Sequence, residues 1–347
     1  MTTLMRAEIE EQPEALRRSL DALLPEVDSL RRLGARTRQV LFVARGSSDN
    51  AAVYGRYLCE VRTGRLATLS SPSIATTYRA RVELDGVLAV ALSQSGRTEE
   101  IVETLAWAAD CGARTVAITN EADSPLASGA EIALVTQAGA ERAVPATKTY
   151  TTQLAALAVL GLALSGDDEE FRAALDKVPD AVAALLEPDP ALDELAGRLT
   201  SVDGLVVSGR GYAYSTALEL ALKFKEACYL PAEGLSYADL LHGPIAVLDG
   251  DTPVLLAASA DGPVLPGLVT LAARARELDS NAYAIGGDAA LSAACDATLR
   301  GPRLPEFVAP IGLVVPGQLL VESLARRLGI DPDTPRGLRK VTQTDTT

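Results

Sequence analysis

Apolar and polar positions follow a repeating order along the chain. Residues 7–33 carry apolar positions at helical spacing among charges, which predicts an N-terminal helix. Short apolar runs follow, separated by helical stretches. QVLFVA at 39–44 ends at a Gly/Ser turn, GVLAVALS at 86–93 does the same, and TVAIT at 115–119 comes after a helical stretch. Runs of this kind alternating with helices predict βαβ units and a parallel sheet. The order then restarts. GLVVSGRG at 204–211 leads into a helical stretch at 213–229, and TPVLLAAS at 252–259 and NAYAIGG at 281–287 are further strands. Between the two series, residues 165–195 are polar, contain proline and are partly helical. The pattern predicts two α/β halves, 1–180 and 190–347, as a duplication would produce.

Composition narrows this picture. The 347 residues are 48% hydrophobic but only 4% aromatic, a mixture suited to helices packed on sheets rather than a β-sandwich. The net charge is −14 with no dense Lys/Arg block, which argues against a nucleic-acid partner. A phosphate group would have to be held locally, by directed dipoles. Cys59, Cys111, Cys228 and Cys295 form no CxxC pair, so neither a zinc site nor a disulfide framework is expected. The N-terminus is charged and lacks an apolar signal region, and no run of 18 apolar residues occurs; reduced thiols, no membrane partner and a cytoplasmic location are expected.

Two corners carry candidate binding chemistry. Arg45-Gly46-Ser47-Ser48-Asp49-Asn50 and Ser93-Gln94-Ser95-Gly96-Arg97-Thr98 each follow a buried strand and open a helix. Strand C-terminal ends line the ligand crevice of a parallel sheet. The first N–H groups of a helix lack intrahelical partners, glycine admits close approach of an anion, and Ser/Thr hydroxyls add donors. The alternative is that Ser and Asp here act only as helix N-caps. Two hydroxyl-rich corners in one half favour a phosphate cradle. Neither is GxGxxG or a P-loop, so no dinucleotide or ATP cofactor is expected.

Candidate acid–base residues lie in the second half. Glu219, Lys223 and Glu226 are spaced four and three apart and share a helix face. They fit a solvated ion-pair stripe, or a proton-transfer site in which Lys223 keeps Glu226 ionised. His242, the single histidine, lies in a Leu-Leu-His-Gly-Pro turn. It fits a surface role, or a group that gives and takes protons near neutrality. Lys340 fits a frayed tail, or an ordered one in which Pro335 makes a turn and Leu338 and Val341 are anchors.

The strings GSSDN, SQSGRTEE, EIEEQPEALRRSL, ERAVPATKTYTTQ, ALELALKFKEACYLPAEG, LLHGPIAV and DPDTPRGLRKVTQT together resemble the SIS (sugar isomerase) family. Within it they are similar to the isomerase half of glucosamine-6-phosphate synthase and to stand-alone deaminases of that group. The resemblance implies an α/β fold of two tandem SIS subdomains, each a doubly wound, flavodoxin-like parallel sheet flanked by helices, in a homodimer. It implies a hexose 6-phosphate partner with its phosphate on Ser48, Ser93, Gln94, Ser95 and Thr98, while Gly46 and Ser47 shape the first corner. Val144, with Glu141 and Arg142 before it, would lie beside the sugar. Glu226 would shuttle the proton, His242 would open the ring while reaching into the partner subunit's site, and Lys340 would form a Schiff base. No metal or cofactor is implied.

The leading reaction implied is deamination of glucosamine 6-phosphate to fructose 6-phosphate and ammonia. Glutamine-dependent amination is not expected, because the synthase's glutaminase domain begins with a cysteine nucleophile, whereas here Thr2 follows Met1 and the chain leaves no room for that domain. Aldose–ketose isomerisation, fructosamine-6-phosphate deglycation and dehydration of N-acetylglucosamine 6-phosphate remain alternatives. Arg142 and Pro145 depart from the family pattern beside the sugar, which leaves the C2 substituent open. A non-catalytic phosphosugar sensor is the alternative of another class.

Overall fold

The computed structural model describes residues 2–166 and 168–340. Its first sheet consists of β1 (Gln39–Val43), β2 (Leu66–Leu69), β3 (Val87–Leu92), β4 (Arg114–Thr119) and β5 (Ile132–Val135). All pair in parallel, in the order β2-β1-β3-β4-β5, with Val40 opposite both Ala67 and Leu88. The second sheet consists of β6 (Leu205–Gly209), β7 (Ala232–Ser236), β8 (Val254–Ala258), β9 (Ala282–Gly286) and β10 (Ala297–Leu299), in the order β10-β9-β8-β6-β7 and again parallel. Read from the β7 edge, this is the winding of the first sheet, with β6 in the place of β1 and β8 in that of β3. The two α/β repeats expected from the chain's pattern are therefore present.

Helices cover both faces of each sheet. In the first, Val43, Ala89, Ala91 and Ala117 pack with Ile101, Leu105 and Ala108 of helix Glu99–Asp110. Phe42, on the opposite face, meets Gly55 of helix Ser47–Thr63, where Leu157 of helix Lys148–Ser165 also arrives; a side-chain carbon at Gly55 would run into both. In the second, Val206, Val254, Leu256 and Ala282 pack with Leu268, Leu271 and Ala275 of helix Leu265–Glu277. On its other side, Gly317 of helix Pro310–Arg327 lets Leu220 of helix Tyr214–Cys228 approach.

The N-terminal stretch differs from expectation. One helix over 7–33 is replaced by Leu4–Glu10, Gln12–Leu23 and Val27–Gly34, the last preceded by a 3-10 turn at Leu24–Glu26. Pro25 lies in that turn, and a ring nitrogen without a proton cannot continue the α-helical ladder. Pro13 is tolerated in the first turn of its helix, where the lost N–H had no intrahelical partner.

The chain packs as two compact units that do not follow sequence order. One comprises Glu14–Glu141 and Lys148–Asp176 and holds the first sheet; the other comprises the segment through Pro13, Arg142–Thr147 and Lys177–Lys340 and holds the second. No described helix is long and apolar enough to cross a membrane.

Candidate functional site

Strands β1 and β3 are neighbours whose following helices leave on opposite faces of the sheet, so their C-terminal ends form the switch point at which parallel sheets commonly take ligands. Both hydroxyl-rich corners lie there. At the first, Gly46 has φ +57° and ψ −134°, a backbone conformation open essentially to glycine, and it precedes helix Ser47–Thr63 without a side-chain cap. Ser48 is buried in the first turn. Burial holds the Asp49 carboxyl above its usual range, with Arg45 opposing the shift. Arg45 reaches across to Glu100 on the helix after β3, at 2.8 and 3.0 Å.

At the second corner, Ser93 is buried and its hydroxyl lies 3.4 Å from that of Thr98. The Gln94 carbonyl accepts from Asn120 N at 3.0 Å and Thr119 Oγ1 at 3.3 Å, fixing the turn to the end of β4. Ser95 Oγ accepts from Arg97 N at 3.3 Å. Gly96 has φ +60° and packs so tightly on Ser124 and Thr119 that a side-chain carbon would collide with both. Thr98 is the N-cap of helix Glu99–Asp110, yet its side chain makes no capping bond. The plain N-cap alternative is thus not realised at either helix start.

The second repeat has matching corners with different chemistry. Gly211 (φ +64°) and Gly262 (φ +107°) occupy the places of Gly46 and Gly96, and Ser259 follows β8 as Ser93 follows β3. Tyr212 and Ala213 replace the two serines of the first corner, and Asp261 replaces Ser95. The Glu306 carboxyl lies against Gly262, and burial, then Asp261, push its pKa up. Two carboxylates suit an anion poorly, so the second repeat's corners do not repeat the hydroxyl-rich chemistry of the first.

The charged face of helix Tyr214–Cys228 is not a solvated stripe. Glu219 is 0% exposed and Lys223 1%, whereas Glu226 retains 22% of its side-chain surface. The Lys223 ammonium contacts Glu219 at 3.4 Å and is hydrogen-bonded to Glu226 Oε2. Burial works against that ammonium, but Glu219 and Glu226 outweigh it and raise its pKa. Lys223 is therefore a fixed cation beneath a partly open carboxylate.

His242 caps the short helix Tyr237–Leu241 and is exposed, beside exposed Leu241. Among the described residues its imidazole makes no hydrogen bond or ion pair; only its backbone N–H is bonded, to the Asp239 carbonyl at 3.1 Å. Among the described residues no hydrogen bond or ion pair joins it to Glu226 or Lys340.

Glu141 is buried and holds the start of helix Lys148–Ser165, accepting from Thr149 N at 3.0 Å and Thr149 Oγ1 at 2.7 Å. Arg142 is exposed, but its backbone N–H is bonded to the Glu8 carboxylate. Val144 N donates to the Asp333 carbonyl at 2.9 Å, and Lys340 Nζ donates to the Ala143 carbonyl at 2.7 Å. The tail is thus held in place up to Lys340, and of its two expected apolar anchors Leu338 does not act as one. Leu338 is 41% exposed, and Val341 lies outside the described residues. Polar contacts hold the described part of the tail, and Pro335 is buried at a turn closed by Leu338 N to Pro335 O at 3.4 Å. Glu8 and Asp333, which organise this region, escape sequence reasoning because each acts on backbone groups far away in the chain.

The SIS domain family matches residues 35–163 and 198–325. Glutamine–fructose-6-phosphate aminotransferase (isomerizing) of Thermococcus kodakarensis is 36% identical over 349 residues, covering 97% of this chain and 57% of that protein. The chain thus spans little more than half the length of that relative. The C-terminal domain of glucosamine-fructose-6-phosphate aminotransferase from Francisella tularensis superposes with a TM-score of 0.88 at 28% identity, covering 96% of this chain and 99% of that one. Glucosamine-6-phosphate deaminase from Thermotoga maritima shares the fold, with a TM-score of 0.78 at 23% identity over 99% of this chain and 100% of its own.

Proposed function

The chain belongs to the SIS domain family, and from that premise we propose that it is a phosphosugar enzyme that converts glucosamine 6-phosphate and water to fructose 6-phosphate and ammonia. In this reading the hydroxyls of Ser48, Ser93, Ser95 and Thr98 and the first amides of the two helices bind the phosphate, with Gln94 and Ser47 completing the corners. His242 moves a proton between the anomeric hydroxyl and the ring oxygen, opening the ring. Glu226 then takes the proton from C2 and returns it to C1. The enolamine becomes an imine at C2, and water adds there and expels ammonia, leaving the ketose carbonyl.

The observation that carries the reading is the Glu219–Lys223–Glu226 trio. A base serving two adjacent carbons must stay ionised, hold still and keep one side open. Lys223 supplies the fixed positive charge, Glu219 keeps that charge in place, and Glu226 alone of the three retains access. Lys340, bonded beside Val144, is proposed to stand near the sugar's carbonyl end. The exposed, unbonded imidazole of His242 supports its use in a second copy's site.

The test is to incubate the protein with glucosamine 6-phosphate and measure free ammonia, alongside Glu226→Gln. Release by the wild type and none by the variant, with unchanged binding, is the expected result. Wild-type turnover in Glu226→Gln removes that residue from the mechanism. An ultraviolet absorbance rise with N-acetylglucosamine 6-phosphate in place of ammonia release indicates dehydration, and binding without turnover indicates a sensor.

A further inference from the structure

We propose that Glu8 is a positioning residue for the candidate site: its carboxylate sets the backbone of residues 142–144 and, through the Ala143 carbonyl, the place of Lys340. The inference rests on the reading of Val144 and Lys340 given above.

Glu8 lies on helix Leu4–Glu10 with its side chain 5% exposed. Its carboxylate accepts the N–H of Arg142, and that of Ala143 at 3.3 and 3.4 Å. The next amide, Val144, is taken by the Asp333 carbonyl, and the Ala143 carbonyl takes the Lys340 ammonium. The Asp333 carboxylate in turn accepts Leu4 N and Met5 N, both at 2.8 Å, at the start of the helix that carries Glu8. The contacts form a closed ring among three segments far apart in sequence: helix to 142–144, 142–144 to tail, tail back to helix. A second buried connection runs alongside, from Gln12 Nε2 to Gln318 Oε1 at 2.9 Å and from Gln318 Nε2 to the Thr147 carbonyl at 3.4 Å.

A charged carboxylate is a costly way to satisfy two amides in a buried place, since an ionised group loses more hydration than a neutral one. What it adds is directional rigidity. Charge-assisted bonds to consecutive N–H groups hold the peptide planes of 142–144, and these planes aim the Ala143 carbonyl at Lys340. Without Glu8 the segment keeps its attachments to Asp333 and Lys340 but loses the opposing contact that fixes its orientation.

Glu8→Ala, Glu8→Gln and the control Glu10→Ala would be compared with wild type by ammonia release from glucosamine 6-phosphate and by hydrogen–deuterium exchange over 142–147. Glu10 is on the same helix, half exposed, and pairs only locally with Arg6 at 2.7 Å. Glu8→Ala should lower kcat about tenfold to a hundredfold and move KM by less than about threefold, because small misplacement of reacting groups costs rate. It should also speed exchange at Ala143. Glu8→Gln, which keeps the volume and one acceptor, should lose less on both readouts, and Glu10→Ala should match wild type. A role confined to helix stability would instead lower the thermal midpoint in both Glu8→Ala and Glu10→Ala without changing kcat. Unchanged kcat in Glu8→Ala with an active wild type overturns the inference. Wild type without ammonia release defeats the functional reading instead, and exchange then decides: protection at 142–147 equal to wild type overturns the role of Glu8. Should Glu8→Ala fail to fold, Glu8→Gln carries both readouts.

Discussion

The backbone N–H of Arg336 donates to the phenol oxygen of Tyr229 at 2.7 Å, and the Arg336 guanidinium lies 4.3 Å from the centroid of the same ring. Tyr229 ends the helix that carries Glu226, in the left-handed conformation at φ +55°. One side chain thus ties the tail bearing Lys340 to the helix bearing the candidate base. Tyr229→Phe keeps the ring beneath Arg336 and removes the acceptor, a loss of about 0.5–1.5 kcal/mol in docking the tail. Faster hydrogen exchange from Pro335 to Lys340, without a change in the global thermal midpoint, is the expected outcome.

Lys223 lies between Glu219 and Glu226 with almost no exposure. Lys223→Met leaves Glu219 as an uncompensated buried charge and should cost about 3–5 kcal/mol of stability. Glu219→Leu combined with Lys223→Met removes both charges and should recover most of that loss while turnover stays abolished. Urea denaturation of the three proteins checks this, and a double variant no more stable than the single one would refute it.

The two corner glycines are needed for different reasons. A side-chain carbon at Gly46 meets open space, so Gly46→Ala should cost only the strained backbone, about 1–3 kcal/mol. Gly96→Ala adds a collision with Ser124 and Thr119 to a positive φ and should cost more. Both should weaken phosphosugar binding measured by calorimetry. Ser95→Ala and Thr98→Ala should each remove about 1.5–3 kcal/mol of affinity for the charged phosphate without destabilising the fold.

Burial pushes the thiols of Cys59, Cys228 and Cys295 from 9.0 up to about 12. Such a group contributes stability that is complete below its unfolded value and declines as pH rises through the folded one, because the unfolded thiol ionises first. Stability should therefore fall between pH 9 and about 12. Cys59→Ala should make the decline shallower, as read from denaturation midpoints across that range.

The interior of each sheet was legible from the chain alone. β3, β6, β8 and β9 are buried at every position, so they read as unbroken apolar runs. The four strands without a clear apolar run, β2, β5, β7 and β10, are the sheet edges. They are short and partly exposed, with little apolar signal to separate them from loops. Helix Lys148–Ser165 was visible only as a motif, because it is buried on nearly all sides and has no polar face to mark its period.

Local chemistry belonged to the sequence: hydroxyls and glycines at strand ends, and three charges on one helix face. Those properties depend on neighbours within a turn or two, which the chain itself supplies. Tertiary structure decided the rest. It buried Glu219 and Lys223 rather than leaving a solvated stripe, put carboxylates at the second repeat's corners, left Leu338 of the tail exposed, and brought Glu8 and Asp333 onto residues 142–144. Each of these depends on which distant segment fills the space beside a residue, and that is set by packing, not by spacing along the chain.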